Sequence, residues 1–257
     1  MSSSEPGRAK FYYNLGLAYQ AMGKNESAIE GYDQAIRLNP EYSAAYNNRG
    51  NVYHDLGEHQ LAIGDYDEAV RLNPEYSAAY NNRGNVYHDL GEHQLAIDDY
   101  DEAVRLNPKY SAAYNNRGIA NYSLGNAEQA IKDYDLAVFS NPEYAAAYNN
   151  RGTVYQELGR DEKALEDYSR AIRLDPEDAE AYVNRGNILF KLSKFQRSIN
   201  DYTKAISLNP TYHNAYNNRG VTFNRVGKYA ESERDFAKAE ELRALAGVEQ
   251  PERQSIT

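Results

Sequence analysis

The chain has 257 residues, a net charge of −10, 25 tyrosines and neither cysteine nor tryptophan. Without cysteine, disulfides, thiol nucleophiles and thiolate metal sites are excluded together, and the acidic balance disfavours generic nucleic-acid binding. No apolar run of about 18 residues is present and the opening MSSSEPG stretch lacks the apolar core of a secretion signal, so a soluble, cytoplasmic protein with no membrane partner is expected.

Residues 1–8 are expected to form a disordered N-terminal segment. From Ala9 onward the chain repeats itself. Prolines at 40, 74, 108, 142, 176 and 210 keep a 34-residue step, and residues 43–76 recur at 77–110 with only Gly64 against Asp98 and Glu75 against Lys109 changed. Seven repeats result (9–42, 43–76, 77–110, 111–144, 145–178, 179–212 and 213–246), expected to form a single solenoid, followed by a disordered tail over 247–257. Within a repeat, positions are numbered 1 to 34.

Positions 4, 7, 8 and 11 fall within about a third of the circumference at 100° per residue, which predicts a first helix packed through that face. Position 8 is Gly in every repeat, from Gly16 to Gly220. A helical Gly costs about 1 kcal/mol relative to Ala, so its recurrence predicts a paired helix too close for a Cβ. Gly at position 15, replaced by Ser193 in repeat 6, marks the turn into a second helix. That helix carries Tyr or Phe at position 24 and Ala at 27, and it stops before the proline.

An aromatic-x-x-x-Gly-x-x-Tyr run followed by Ala-x-x-x-Tyr, then Ala and Pro, resembles the tetratricopeptide repeat over nearly the whole chain. The departures are Tyr for Trp at position 4, Arg for Leu at position 7, and Asn121, Leu189 and Phe223 at position 11. The resemblance implies an all-α fold, a right-handed superhelical solenoid of antiparallel helix pairs.

Six repeats have Arg at position 7 (Arg49, Arg83, Arg117, Arg151, Arg185, Arg219) and the same six have Asp at position 23 (Asp65, Asp99, Asp133, Asp167, Asp201, Asp235), whereas repeat 1 has Leu15 and Gly31. Joint presence and absence predicts a charge-assisted contact between the two helices of each repeat rather than a nucleic-acid site.

Positions 2, 5, 6, 9, 12 and 13 share the opposite arc of the first helix, which in the family lines the inner groove. Position 6 is always Asn: Asn14, Asn48, Asn82, Asn116, Asn150, Asn184 and Asn218. Position 9 adds Asn51, Asn85 and Asn187, position 5 is Asn in five repeats, and position 12 supplies His54 and His88. Asn is a mediocre helix former, so its recurrence calls for an offsetting role. Amides offer donors and an acceptor together, which suits the backbone of a bound peptide. The position-6 row resembles the asparagine ladder in the repeat domain of O-linked N-acetylglucosamine transferases. Cationic positions of the chaperone-tail clamp known in this family are missing, so chaperone C-terminal tails are not expected partners.

Position 13 changes sign along the chain, from Asp55 and Asp89 to Lys191 and Arg225. No phosphate loop, metalloprotease motif or nucleophile elbow occurs, and duplication of one repeat explains the His-Asp spacing better than a metal site. No enzyme activity and no cofactor are expected. Repeat 7 has Glu233 and Glu240 where other repeats are aliphatic, a polar face suited to a terminus. Repeat 1 has Phe11 where later repeats have Ala, leaving an apolar N-terminal edge. Two functions remain open: a scaffold holding an extended peptide or protein segment in an Asn-lined groove, or a homo-oligomer joined through that edge.

Overall fold

Each 34-residue period folds as a helical hairpin, because two apolar faces of about four turns can bury themselves only against each other and against the next repeat. The computed structural model describes residues 5–245 and 247. Its first hairpin joins α1 (Glu5–Ala21) to α2 (Asn25–Leu38), followed by α3 (Ser43–Asp55) with α4 (His59–Leu72), α5 (Ser77–Asp89) with α6 (His93–Leu106), and α7 (Ser111–Ser123) with α8 (Ala127–Ser140). The remaining hairpins are α9 (Ala145–Glu157) with α10 (Asp161–Leu174), α11 (Ala179–Lys191) with α12 (Phe195–Leu208), and α13 (His213–Arg225) with α14 (Tyr229–Leu245). The chain divides between Asn141 and Pro142 into two compact units. Among the described residues there is no strand, and no helix is long and apolar enough to cross a membrane.

The hairpin turns need a left-handed residue: Gly57 has φ +76° and Gly125 φ +80°. Ser193 adopts φ +57° at the same position despite its Cβ. Between repeats, Asn39, Asn73, Asn107 and Asn209 each accept a hydrogen bond on Oδ1 from the backbone N–H two residues on, forming a side-chain turn around the proline that ends the second helix.

The glycine at position 8 has the expected cause, and the neighbour is an aromatic ring. A Cβ on Gly118 would lie 2.7 Å from Cε1 of Tyr134, and Gly50 and Gly186 meet Tyr66 and Tyr202 in the same way. Those tyrosines are fully buried, together with the alanines at positions 20 and 27. In repeat 1 the second helix also meets the backbone of the first, since a Cβ on Gly31 would lie 2.8 Å from Cα and N of Gly16. That is why repeat 1 lacks the Asp found there in every other repeat.

Residues 5–8, expected to be disordered, belong to α1, whose extra turn buries Ala9. The expectation for residues 1–4, and for the tail beyond Gly247, lies outside the described residues. Glu233 and Glu240 are exposed on α14.

Candidate functional site: the inner row of first helices

Within the N-terminal unit α1, α3, α5 and α7 touch in succession, whereas within neither unit, among the described residues, does a second helix approach another second helix. Within the C-terminal unit α9, α11 and α13 do the same. The more closely spaced row is the inner one, so each unit presents its first helices there.

Arginine at position 7 fixes that row. Arg49 donates to Asp65 from Nε at 2.8 Å and from Nη2 at 2.6 Å, and the two-pronged contact recurs at Arg83–Asp99, Arg151–Asp167, Arg185–Asp201 and Arg219–Asp235. In Arg117–Asp133 both nitrogens share one oxygen, and the other accepts from Asn121, which explains Asn at position 11 of repeat 4. Hydrogen bonding to Asp201 raises the Arg185 pKa and keeps the guanidinium charged, while burial pushes the Asp65 and Asp99 carboxyls up against the pull of their arginines. Sequence reasoning missed the third arm: Arg49 also reaches Asp33, Arg83 reaches Asp67 and Arg117 reaches Asp101, each on the preceding repeat. In repeats 2 to 4 the guanidinium thus ties the repeat to the preceding one as well as closing its own hairpin.

The asparagines form a network among themselves. Asn82 gives its two N–H groups to Asn47 Oδ1 at 3.1 Å and Asn51 Oδ1 at 3.0 Å, both on the preceding repeat, and accepts from Asn81 at 3.3 Å. Asn116 repeats the pattern with Asn81, Asn85 and Asn115. In the C-terminal unit Asn184 donates to Asn149 and Asn218 to Asn187. Asn51, Asn85 and Asn187 also accept the buried tyrosine hydroxyls of Tyr66, Tyr100 and Tyr202, each at 2.8 Å.

Position 5 therefore leaves the expected groove. Asn47, Asn81, Asn115 and Asn149 are buried, and Asn47, Asn81 and Asn149 accept hydrogen bonds from the next first helix. Val183 occupies the same place in repeat 6, 4 % exposed in an apolar cluster with Tyr202, as befits a packing site. Of the position-6 residues, Asn14 is exposed, while Asn48, Asn82, Asn116, Asn150, Asn184 and Asn218 are half-buried, as are Asn51, Asn85 and Asn187. Asn48 donates to the Tyr13 hydroxyl, repeat 1 having Tyr rather than Asn at position 5.

A depression of about 300 Å³ opens in the N-terminal unit between α3, α5 and α7, lined by His54, Asn85, His88, Asp89 and Asn116. His54 Nε2 lies 2.7 Å from Asp89 Oδ2, linking repeats 2 and 3 across its floor. Asn85 has spent its carbonyl oxygen on Tyr100 and Asn116, and its two N–H groups have no protein partner among the described residues. Asn116 is the converse: both N–H groups are engaged and its oxygen keeps one lone pair. Among the described residues no group of three metal-ligating side chains is placed to hold an ion.

Helical hairpins stacked at a 34-residue period, with first helices inward, define a repeat scaffold. Family models for the tetratricopeptide repeat match residues 13–76, 77–110, 111–144, 155–193, 179–212 and 201–234, and the chain belongs to that family. No curated protein sequence matches it. Among solved structures, a tetratricopeptide repeat protein from Parabacteroides merdae ATCC 43184 is 24 % identical, covers 91 % of this chain and 93 % of its own, and superposes with a TM-score of 0.68. PilF of Pseudomonas aeruginosa is 17 % identical over 83 % of this chain and 97 % of its own, at 0.75. YrrB, described as a TPR protein with an unusual peptide-binding site, is 24 % identical over 73 % of this chain and 96 % of its own, at 0.58.

Proposed function

We propose that the protein is a non-enzymatic scaffold that holds an extended segment of a partner protein along the asparagine-bearing inner face. The depression bounded by His54, Asn85, His88 and Asn116 carries this reading, because it joins positions 6, 9 and 12 of three successive repeats. An extended chain presents one N–H and one C=O per residue. The free N–H groups of Asn85 suit a peptide carbonyl, and the remaining lone pair of Asn116 suits a peptide N–H. Recognition through the backbone tolerates different side chains. A net gain of about 0.5–1.5 kcal/mol per neutral hydrogen bond means that several must act together. The peptide-binding site of YrrB lends support from a protein of like fold.

Selection of a phage-displayed random peptide library on the intact protein tests this, followed by measurement of selected peptides on Asn85→Asp. That variant keeps the oxygen accepting from Tyr100 and Asn116 but removes the free donors. Peptides should bind the parent and be weakened by the change; enrichment of none, or binding indifferent to Asn85, would reject the reading. A second reading, self-association through the N-terminal edge, is favoured by Phe11, 61 % exposed beside Tyr12. Sedimentation at a constant monomer mass over a concentration series would remove it.

A further inference from the structure

The inner face changes chemistry in the last two repeats. Positions 13 and 16 are Asp55 and Glu58, then Asp89 and Glu92, in repeats 2 and 3; in repeats 6 and 7 they are Lys191 and Lys194, then Arg225 and Lys228. The neighbouring positions lose their polarity together. Histidines His54 and His59 of repeat 2 give way to Phe190 and Phe195 in repeat 6, whose rings lie 5.6 Å apart. The Asn51–Tyr66 hydrogen bond of repeat 2 is replaced in repeat 7 by Val221 and Phe236, so neither partner is left unpaired.

The outcome is a depression of about 530 Å³ within the C-terminal unit, walled by Phe190, Phe195, Val221 and Phe236 and rimmed by Lys191 and Arg225. Val221 is 40 % exposed there, where the equivalent Asn187 is half-buried. Lys191 is held by Asp161 at 2.8 Å. Among the described residues no carboxylate pairs with Lys194, Arg225 or Lys228, which stand exposed on the same turns. Like charges without carboxylate partners around an apolar hollow attract an anionic partner that covers it.

We propose that this hollow binds an acidic peptide segment of a partner protein, with a bulky apolar side chain seated between Phe190, Val221 and Phe236 and flanking carboxylates facing Lys194, Arg225 and Lys228. The proposal rests on the inner face being a peptide track and adds the ligand class at one end of it. Unlike the backbone contacts around Asn85, this end selects by side chain and by charge.

Fluorescence polarisation of the full-length protein tests it, using a fluorescein-labelled peptide with a central leucine-phenylalanine pair between runs of aspartate. Binding should fall about tenfold or more when lysine replaces aspartate or alanine replaces the apolar pair, and again in the variants Arg225→Glu with Lys194→Glu, and Phe190→Ala. Thermal melting of each variant controls for folding, and the paired charge reversal, being on the surface, should melt as the parent does. Equal affinity for the lysine-flanked peptide, or binding unchanged in both variants, would overturn the proposal. So would failure of the probe to bind combined with a fall in protein mass on Arg225→Glu, which would assign the hollow to a second copy of the chain. In either case, peptides selected on the parent and released by Asn85→Asp would leave the backbone-track reading standing.

Discussion

Arg83 grips Asp99 through Nε at 2.8 Å and Nη2 at 2.6 Å while its Nη1 donates to Asp67 of the preceding repeat. One guanidinium therefore closes a hairpin and joins two repeats, with its side chain only 17 % exposed and that of Asp99 only 8 %. Arg83→Met should cost about 3 kcal/mol in urea unfolding, chiefly because Asp99 stays buried without a partner. Arg83→Lys should fall between, keeping the charge but losing the fork, and adding Asp99→Leu to Arg83→Met should recover most of the loss. A double variant as unstable as the single one would show that the pair contributes beyond mutual neutralisation.

Two glycines one repeat family apart should respond with opposite sign. Gly118→Ala drives a Cβ to 2.7 Å from a Tyr134 ring that is buried and cannot swing away, and should cost roughly 1–3 kcal/mol. Gly64 has open space around it on α4, so Gly64→Ala should gain about 0.5–1 kcal/mol from reduced backbone freedom in the unfolded chain. Calorimetric melting of both variants gives the comparison.

Ser193 takes φ +57° where other repeats use Gly. Ser193→Gly relieves roughly 1 kcal/mol of steric strain and should raise the melting temperature, whereas Gly159→Ser, which imposes the same strain at φ +68°, should lower it.

The buried tyrosines set an alkaline limit. Burial raises Tyr168 and Tyr202 from 10.0 to about 12. A hydroxyl whose pKa is higher in the folded state contributes its stability fully below pH 10 and loses it as pH rises from 10 toward 12. Unfolding should therefore begin above pH 10, and absorbance at tyrosinate wavelengths should show a class of tyrosines that ionises together with the loss of helix. Tyr202→Phe should make the decline shallower.

The period, the hairpin, the close approach of the paired helix at the position-8 glycine and the Arg–Asp pairing were all legible because they recur at fixed spacing within one repeat. What lay between repeats was not. Asn82 finds Asn51 and Asn47 at separations of 31 and 35 residues, and a helical wheel drawn for one helix has no knowledge of the helix packed beside it. That is why position 5, on the polar arc of the wheel, turned out to be sealed against its neighbour. Val183 at that position was the available signal, since an aliphatic residue there belongs in an interface. The third arm of the arginine was hidden for a similar reason: Asp33 and Asp65 sit equally far from Arg49 along the chain, and only the second shared its joint presence and absence.

In the proposed function the amides at position 9, held by their oxygens, spend their free N–H groups on a bound backbone. Isothermal titration of an uncharged, library-selected peptide into the parent and into Asn51→Asp with Asn85→Asp measures it most directly, with melting followed alongside. The Kd should rise about tenfold or more with little change in melting, because both retained oxygens still accept from Tyr66, Tyr100, Asn82 and Asn116. An unchanged Kd in the doubly substituted protein would rule out backbone recognition by the position-9 amides.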